Sequence, residues 1–213
     1  MASSIAIIDY GMGNLRSVAK ALEHVAPGAR VLVTQNRLDI LRADRVVFPG
    51  QGSIRDCMHE LARWDLVEVV RQTALDKPFL GLCLGPQALL DFSEENGGTE
   101  CLGVLPGRVV RFGEPRDPAT GERLKVPHMG WNQVRQLRDH PLWRGIPQDS
   151  RFYFVHSYYL QPTDAALAVG STRYGFDFTS AIARDNIFAV QFHPEKSAQA
   201  GLRLLANFAD WNP

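Results

Sequence analysis

The sequence predicts a three-layer α/β protein: a mainly parallel central sheet with helices on both faces, extended by an antiparallel C-terminal portion, in a single domain over residues 1–213. Three observations predict it. Strand-like and helix-like stretches alternate through the first half of the chain, the pattern of parallel strands covered on both faces. After about residue 103 the helical spacing gives way to short strand-like pieces separated by turns. A chain of 213 residues, 45% of them hydrophobic, has the material for one substantial core.

The elements follow in order. Residues 5–8 are an apolar strand, Gly11-Met12-Gly13 turns the chain, and Leu15, Val18, Ala19 and Leu22 share one helical face. A glycine pair after a first strand suggests a dinucleotide site, but Arg16 stands where the third glycine belongs. The pair therefore reads as a tight turn with Asn14 near the helix start. A strand over 29–34, a short helix over 38–43, a strand over 45–50 and one helix across 57–75 come next. A buried strand over 78–82 then leads into a helix that carries Ala88, Leu89 and Phe92 at helical spacing. In the second half, strand-like pieces cover 102–112, 131–137, 151–160, 166–174 and 178–192, the last folded at a hairpin tip, Asp185-Asn186. Residues 113–125, with two prolines and two glycines, read as an exposed loop, and 198–211 as a closing helix that packs back on the sheet.

Composition narrows the function classes. Lys+Arg and Asp+Glu balance at 23 each, and there is no dense basic run, so nothing attracts nucleic acid or an anionic membrane. No apolar run approaches the roughly 18 residues of a membrane span, and the N-terminal one is too short for a signal peptide, so a cytoplasmic protein is expected. Cys57, Cys83 and Cys101 lack paired spacing, which argues against a disulfide framework or a zinc site, and no metal or other cofactor is expected.

One of these cysteines is differently placed. Cys83 lies where the strand of "KPFLGLCLGPQALLDF" ends and the helix begins, with Gly81 and Gly85 two positions to either side. Glycines there remove the Cβ atoms that would crowd a strained strand-to-helix turn of the kind that presents a nucleophile. Pro86, in the first helical turn, gives up an N–H that has no intrahelical partner. The N–H that such a turn offers to an oxyanion belongs to the next residue, Leu84. A small buried hydrophobe is the alternative reading of this cysteine.

A nucleophile needs a base, and "IFAVQFHPEKS" delivers His193 at a strand end. Pro194 stops the strand and lets Glu195 lie on the same side, where a carboxylate can hold the imidazole. The third piece is "FPGQGS": Gly50 and Gly52 leave the peptide around Gln51 free to rotate, so this loop can offer a second N–H to an oxyanion or withhold it.

At this point the residues resemble the class I, or triad, glutamine amidotransferases, whose GxCxGxQ and His-Pro-Glu motifs stand here as "GLCLGPQ" and "HPE". "DYGMGNLRSV", "PGQGS", "VPHMGWN" and "YFVHSYY" further resemble the branch of that family that supplies ammonia in histidine biosynthesis. The resemblance implies the family's three-layer fold, with Cys83, His193 and Glu195 as a catalytic triad, Leu84 and Gln51 as oxyanion donors, and Gly52, Gln87, Ser157 and Tyr158 as binders of L-glutamine. It also implies a heterodimer with a (β/α)8 cyclase subunit that receives the ammonia through a tunnel and binds the phosphorylated substrate, with His128, Trp131, Asn132 and Lys196 facing that partner. Two positions depart from the family's habit, Gln51 for a small apolar residue and Pro86 for methionine. Two other readings stay open: a glutaminase of the anthranilate or vitamin B6 pathway, and a catalytically silent scaffold.

Overall fold

The computed structural model describes residues 3–213. Four strands of the first half, β1 (Ser4–Ile8), β2 (Arg30–Thr34), β3 (Arg45–Gly50) and β4 (Phe79–Cys83), lie parallel in the order β2-β1-β3-β4. Between them run α1 (Leu15–Val25), α2 (Arg37–Arg42), α3 (Ile54–Arg63) and α4 (Val67–Asp76), and α5 (Leu84–Leu89) follows β4 with no residue between. The second half adds β5 (Phe92–Ser93), β6 (Thr99–Glu100), β7 (Gly107–Arg111), β8 (His128–Gln136), β9 (Ser150–His156), β10 (Tyr158–Pro162), β11 (Ala168–Tyr174), β12 (Phe176–Arg184) and β13 (Ile187–Val190), before α6 (Ala198–Asp210) closes the chain. β13 returns beside β4 in parallel, and from it the sheet continues as β12-β10-β7-β5-β6, antiparallel except between β5 and β7. β11 also pairs with β12 and with β8, which holds β9.

Alternation along the central strands divides the core between two faces. Ile8, Val46, Phe48, Phe79, Ile187 and Ala189 point to the side covered by α2, α3, α4 and α5. Ile5, Ile7, Val47, Leu80, Leu82, Phe188 and Val190 point to the side covered by α1 and α6. Period-two side-chain direction in strands buried on both faces requires this split, and it makes the three layers.

The helix expected across 57–75 is two helices. Asp65 adopts φ 54° after α3, its N–H bonds to Ala62 O, and Leu66 N–H reaches back to Leu61 O at 2.8 Å. These bonds form a Schellman cap, and its two hydrophobic ends, Leu61 and Leu66, are both fully buried. α5 is also shorter than its apolar spacing suggests. The returning segment donates Leu102 N–H to Ala88 O, Gly103 N–H to Leu90 O, and Val104 and Leu105 N–H to Leu89 O, which takes up the carbonyls at the helix end. The strand-like piece over 151–160 breaks at Ser157 into β9 and β10, whereas the hairpin tip falls at Asp185-Asn186 as expected.

Candidate active site

Register brings the three motifs together. β3 and β13 flank β4 in parallel, with Gly50 opposite Cys83 and Val190 opposite Leu82. The loop around Gln51, the cysteine and the His193 segment therefore leave the C-terminal ends of three neighbouring strands, where ligands of open α/β sheets bind.

Cys83 is the last residue of β4 and sits at φ 56°, ψ −86°, a backbone conformation that L-residues rarely adopt. Its side chain is 8% exposed. Gly85 is a glycine because α5 starts against β3: a Cβ there would lie 2.3 Å from the Phe48 carbonyl oxygen. Leu84 is the first helical residue, so its N–H has no intrahelical acceptor.

The loop glycines divide their roles differently from the expectation. Gly50 is buried within β3, and a Cβ on it would meet the Tyr10 hydroxyl at 2.3 Å and Leu84 Cβ at 2.8 Å, so close packing accounts for it. The Tyr10 hydroxyl donates to Pro49 O at 3.0 Å and holds the loop's base; its pKa is raised well above the ordinary tyrosine value by burial and by the neighbouring Cys57. Only Gly52, at φ 93°, has the left-handed backbone that favours glycine.

His193 is buried, and its Nδ1 lies 2.9 Å from Glu195 Oε1, whose side chain is 1% exposed. Nδ1–H thus donates to the carboxylate. The other nitrogen, Nε2, is buried with no hydrogen-bonding partner of proper geometry, while the ring is close enough to the Cys83 thiol to interact with it. Burial opposes a charge on this imidazole, yet hydrogen bonding and charge from Cys83 and Glu195 outweigh it and push the His193 pKa up to about 10. Cys57 and Cys101 differ: burial pushes both thiols up to about 12.

Cys83 and His193 open onto a cavity of about 450 Å³ that Gln51, Gly52, Leu84, Gln87, Ser157 and Tyr158 also line. A larger hollow of about 710 Å³ between Lys77, His140 and Trp211 is more open and has no cysteine in its wall. Two residues that sequence reasoning missed belong to the cysteine's surroundings. Glu95, the one carboxylate lining the cavity, accepts from Ile54 N–H at 2.7 Å, and burial raises its pKa. Gln191, fully buried, bridges Gln87 to the Cys83 carbonyl. Its signal was a polar residue in an apolar strand, at the same parity as His193.

Of the residues expected at a partner surface, Trp131 is 47% exposed and Lys196 is exposed, and both approach the Tyr153 ring. His128 departs from that expectation. It is 3% exposed, stacked against Phe154, with Nδ1 2.9 Å from His156 Nε2 and Nε2 3.1 Å from Asn132 Nδ2. His156 Nδ1 in turn meets Tyr158 O at 2.7 Å. Burial lowers the His128 pKa to about 4 and, with the charge of neighbouring imidazoles, that of His156 to about 3. Exposed Met129, not His128, accompanies Trp131 on the surface.

Residues 6–211 match the family model described as glutamine amidotransferase class-I. The chain is 64% identical over 210 residues to "Imidazole glycerol phosphate synthase subunit HisH" of Nitrosococcus oceani, covering 99% of this chain and 98% of that one. It is 62% identical over 212 residues to the protein of the same name from Aromatoleum aromaticum, covering 99% and 100%. Among solved structures, PurLQS from Thermotoga maritima aligns with a TM-score of 0.74 at 16% identity over 99% of each chain, a likeness of fold.

Proposed function

The chain belongs to the class I glutamine amidotransferase family, and from that premise we propose that it is the glutaminase subunit of an imidazole glycerol phosphate synthase, hydrolysing L-glutamine to glutamate and ammonia in histidine biosynthesis. The observation that carries the chemistry is that Cys83, on its strained strand-to-helix corner, lines one cavity with a His193 ring held by Glu195 at 2.9 Å. The relatives' shared name favours this branch over an anthranilate or vitamin B6 glutaminase.

The carboxamide of glutamine is a poor electrophile, so attack needs a thiolate and a place for the oxygen charge. Cys83 sulfur attacks the side-chain carbonyl carbon, and the Leu84 N–H, joined by a loop N–H at Gln51, receives the oxyanion. His193 protonates the departing nitrogen, leaving a thioester and ammonia. It then takes a proton from water as the water attacks the thioester, which frees glutamate and restores the thiol. Gln87, Gly52, Ser157 and Tyr158 hold the substrate, and the half-buried Glu95 carboxylate suits the substrate's α-ammonium group.

Free ammonia would protonate in water, so it passes through a tunnel to a (β/α)8 cyclase subunit, which forms imidazole glycerol phosphate and AICAR. The patch of Trp131, Met129 and Lys196 faces that subunit in a heterodimer. Among the described residues no helix is long and apolar enough to cross a membrane, in keeping with a cytoplasmic setting.

The test is covalent. An electrophilic glutamine analogue should modify Cys83 and spare Cys57 and Cys101 in peptide mass mapping, and His193→Asn should abolish glutamate release while synthesis from ammonium salts continues in the complex. A label found mainly on Cys57, or full glutamate release by His193→Asn, would sink this reading.

A further inference from the structure

We infer that Gln191 is a positioning residue that orients the Leu84 oxyanion donor through the peptide Leu84 shares with Cys83, an assignment that rests on the glutaminase reading. The Gln191 side chain is fully buried in the chain between β13 and His193, flanked by Val190 and Phe192, which are also fully buried. Its Nε2 donates to Cys83 O at 3.1 Å, its Oε1 accepts from Gln87 Nε2 at 2.9 Å, and its backbone N–H bonds to Ser180 O at 2.9 Å. A side-chain amide taken out of water in such surroundings is retained for its bonds, because an apolar residue of the same size would fill the space.

What it holds is one rigid plane. The Cys83 carbonyl and the Leu84 N–H belong to the same peptide unit, and in a trans peptide they point in opposite directions. Anchoring the oxygen from behind therefore aims the N–H forward, toward the cavity that Leu84 lines. The anchor also polarises the unit, which strengthens the N–H as a donor. Local structure supplies no substitute of the tightest kind. At φ 56° the cysteine sits in a strained conformation, and Pro86, three residues on, has no N–H to offer its carbonyl.

The role separates Gln191 from the thiol itself. Glutamine hydrolysis passes through an oxyanion, whereas alkylation of Cys83 by iodoacetamide displaces iodide at a saturated carbon and uses no oxyanion donor. In the complex with the cyclase, Gln191→Met should lower kcat for glutamate release roughly 10- to 100-fold, less than or comparable to deleting a donor outright. Alkylation of Cys83 should stay within about threefold of wild type under the same conditions.

Gln191→Glu gives a second, independent readout. Protonated, the carboxyl donates to Cys83 O and accepts from Gln87; ionised, it sets a negative oxygen against the carbonyl. The ratio of variant to wild-type kcat should therefore fall as pH rises, with KM for glutamine little changed because the acceptor for Gln87 is kept.

A Gln191→Met kcat within threefold of wild type overturns the proposal, as does a pH-independent Gln191→Glu ratio. If kcat and alkylation of Gln191→Met fall together, Gln191 holds the thiol and the assignment to Leu84 is wrong. If both variants lose the cooperative thermal transition, Gln191 is a folding residue and the proposal fails. Wild-type complex that releases no glutamate removes the glutaminase reading itself, and this proposal with it.

Discussion

Replacing Gly85 by alanine puts one methyl group where the start of α5 meets the centre of the sheet. The added Cβ would lie 2.3 Å from the Phe48 carbonyl oxygen, against an ordinary contact of 3.4 Å or more, so something must move by about 1 Å. Phe48 is the poor candidate: it belongs to β3, clamped between β1 and β4 and paired with Gly81. The shift falls on α5, and Leu84 N–H and Cys83 move with it. A misplacement of about 1 Å is worth on the order of 10²-fold in rate. Overpacking of this kind costs about 1–3 kcal/mol, which for a chain of this size is a Tm drop of roughly 2–12 °C. Glutamate release by the cyclase complex and calorimetric melting of the chain measure the two effects. Gly28→Ala is the control, since no atom lies within 4 Å of its added Cβ and its backbone is not left-handed. A Gly85→Ala protein with kcat within about threefold of wild type and an unchanged Tm would refute the account of the elbow.

Three further outcomes follow from the same geometry. Asp65, exposed and at φ 54° in the Schellman cap, makes no side-chain hydrogen bond, so Asp65→Gly should stabilise the protein by about 0.5–1 kcal/mol, a Tm rise of roughly 1–4 °C; an unchanged or lower Tm counts against a strained cap. The pKa values of His128, His140 and His156 fall from the ordinary 6.5 to about 4, about 4 and about 3, so the unfolded chain takes up these protons first. His193, raised to about 10, has the opposite sign and loses stability as pH rises from 6.5 toward 10; with three groups against one, stability should decline as pH falls below 6.5 toward 3. Melting temperatures between pH 7 and 5, above the range where carboxylates dominate, should show this decline, and His156→Gln should flatten it; a level wild-type profile there contradicts the buried network. Finally, glutamate release should be low for the isolated chain, higher with the cyclase and highest with a bisphosphate substrate analogue bound to the cyclase, the partner shifting the Gln51 loop toward its competent state. Equal rates in all three samples would dispose of a gated loop and leave the triad untouched.

Where chemistry and pattern coincided, the sequence was legible. Glycines around Cys83, proline after His193 and the apolar runs of β3 and β4 each have one physical use, and they located the elbow and the loop beside it; the parallel return of β13 next to β4, within a half that reads as antiparallel, was not legible there. What escaped was set by contacts distant in sequence. The break at Asp65 has no glycine to mark it, because the buried Leu61–Leu66 pair stabilises a left-handed aspartate. α5 stops early because a segment more than ten residues later caps its carbonyls. His128 is placed at a partner surface by the family resemblance, yet its burial depends on β9 and on Tyr174, whose ring lies 4.1 Å away. Gly50 looked free to rotate until the Tyr10 hydroxyl, forty positions earlier in the chain, was seen beside it.

Three buried histidines near this site show why burial alone does not identify a catalytic group. Desolvation pushes every imidazole toward neutrality, and it does so at His128, His156 and His193 alike. The partners decide the outcome. His156 Nδ1 faces the Tyr158 carbonyl, so it must carry the hydrogen and Nε2 must be an acceptor. His128 Nδ1 must then donate to it, leaving His128 Nε2 to accept from Asn132, whose other amide hydrogen goes to Arg173 O. Each of these bonds uses a neutral ring, and one tautomer of each ring satisfies them all, so these two histidines are fixed donors that brace Tyr158 in the cavity wall. His193 has a carboxylate on one nitrogen and a thiol beside the ring, both of which favour the charged form, and its pKa moves the other way, to about 10. A group that moves protons during a reaction needs partners that accept its charge; of the three, only His193 has them, and it is the one within reach of Cys83.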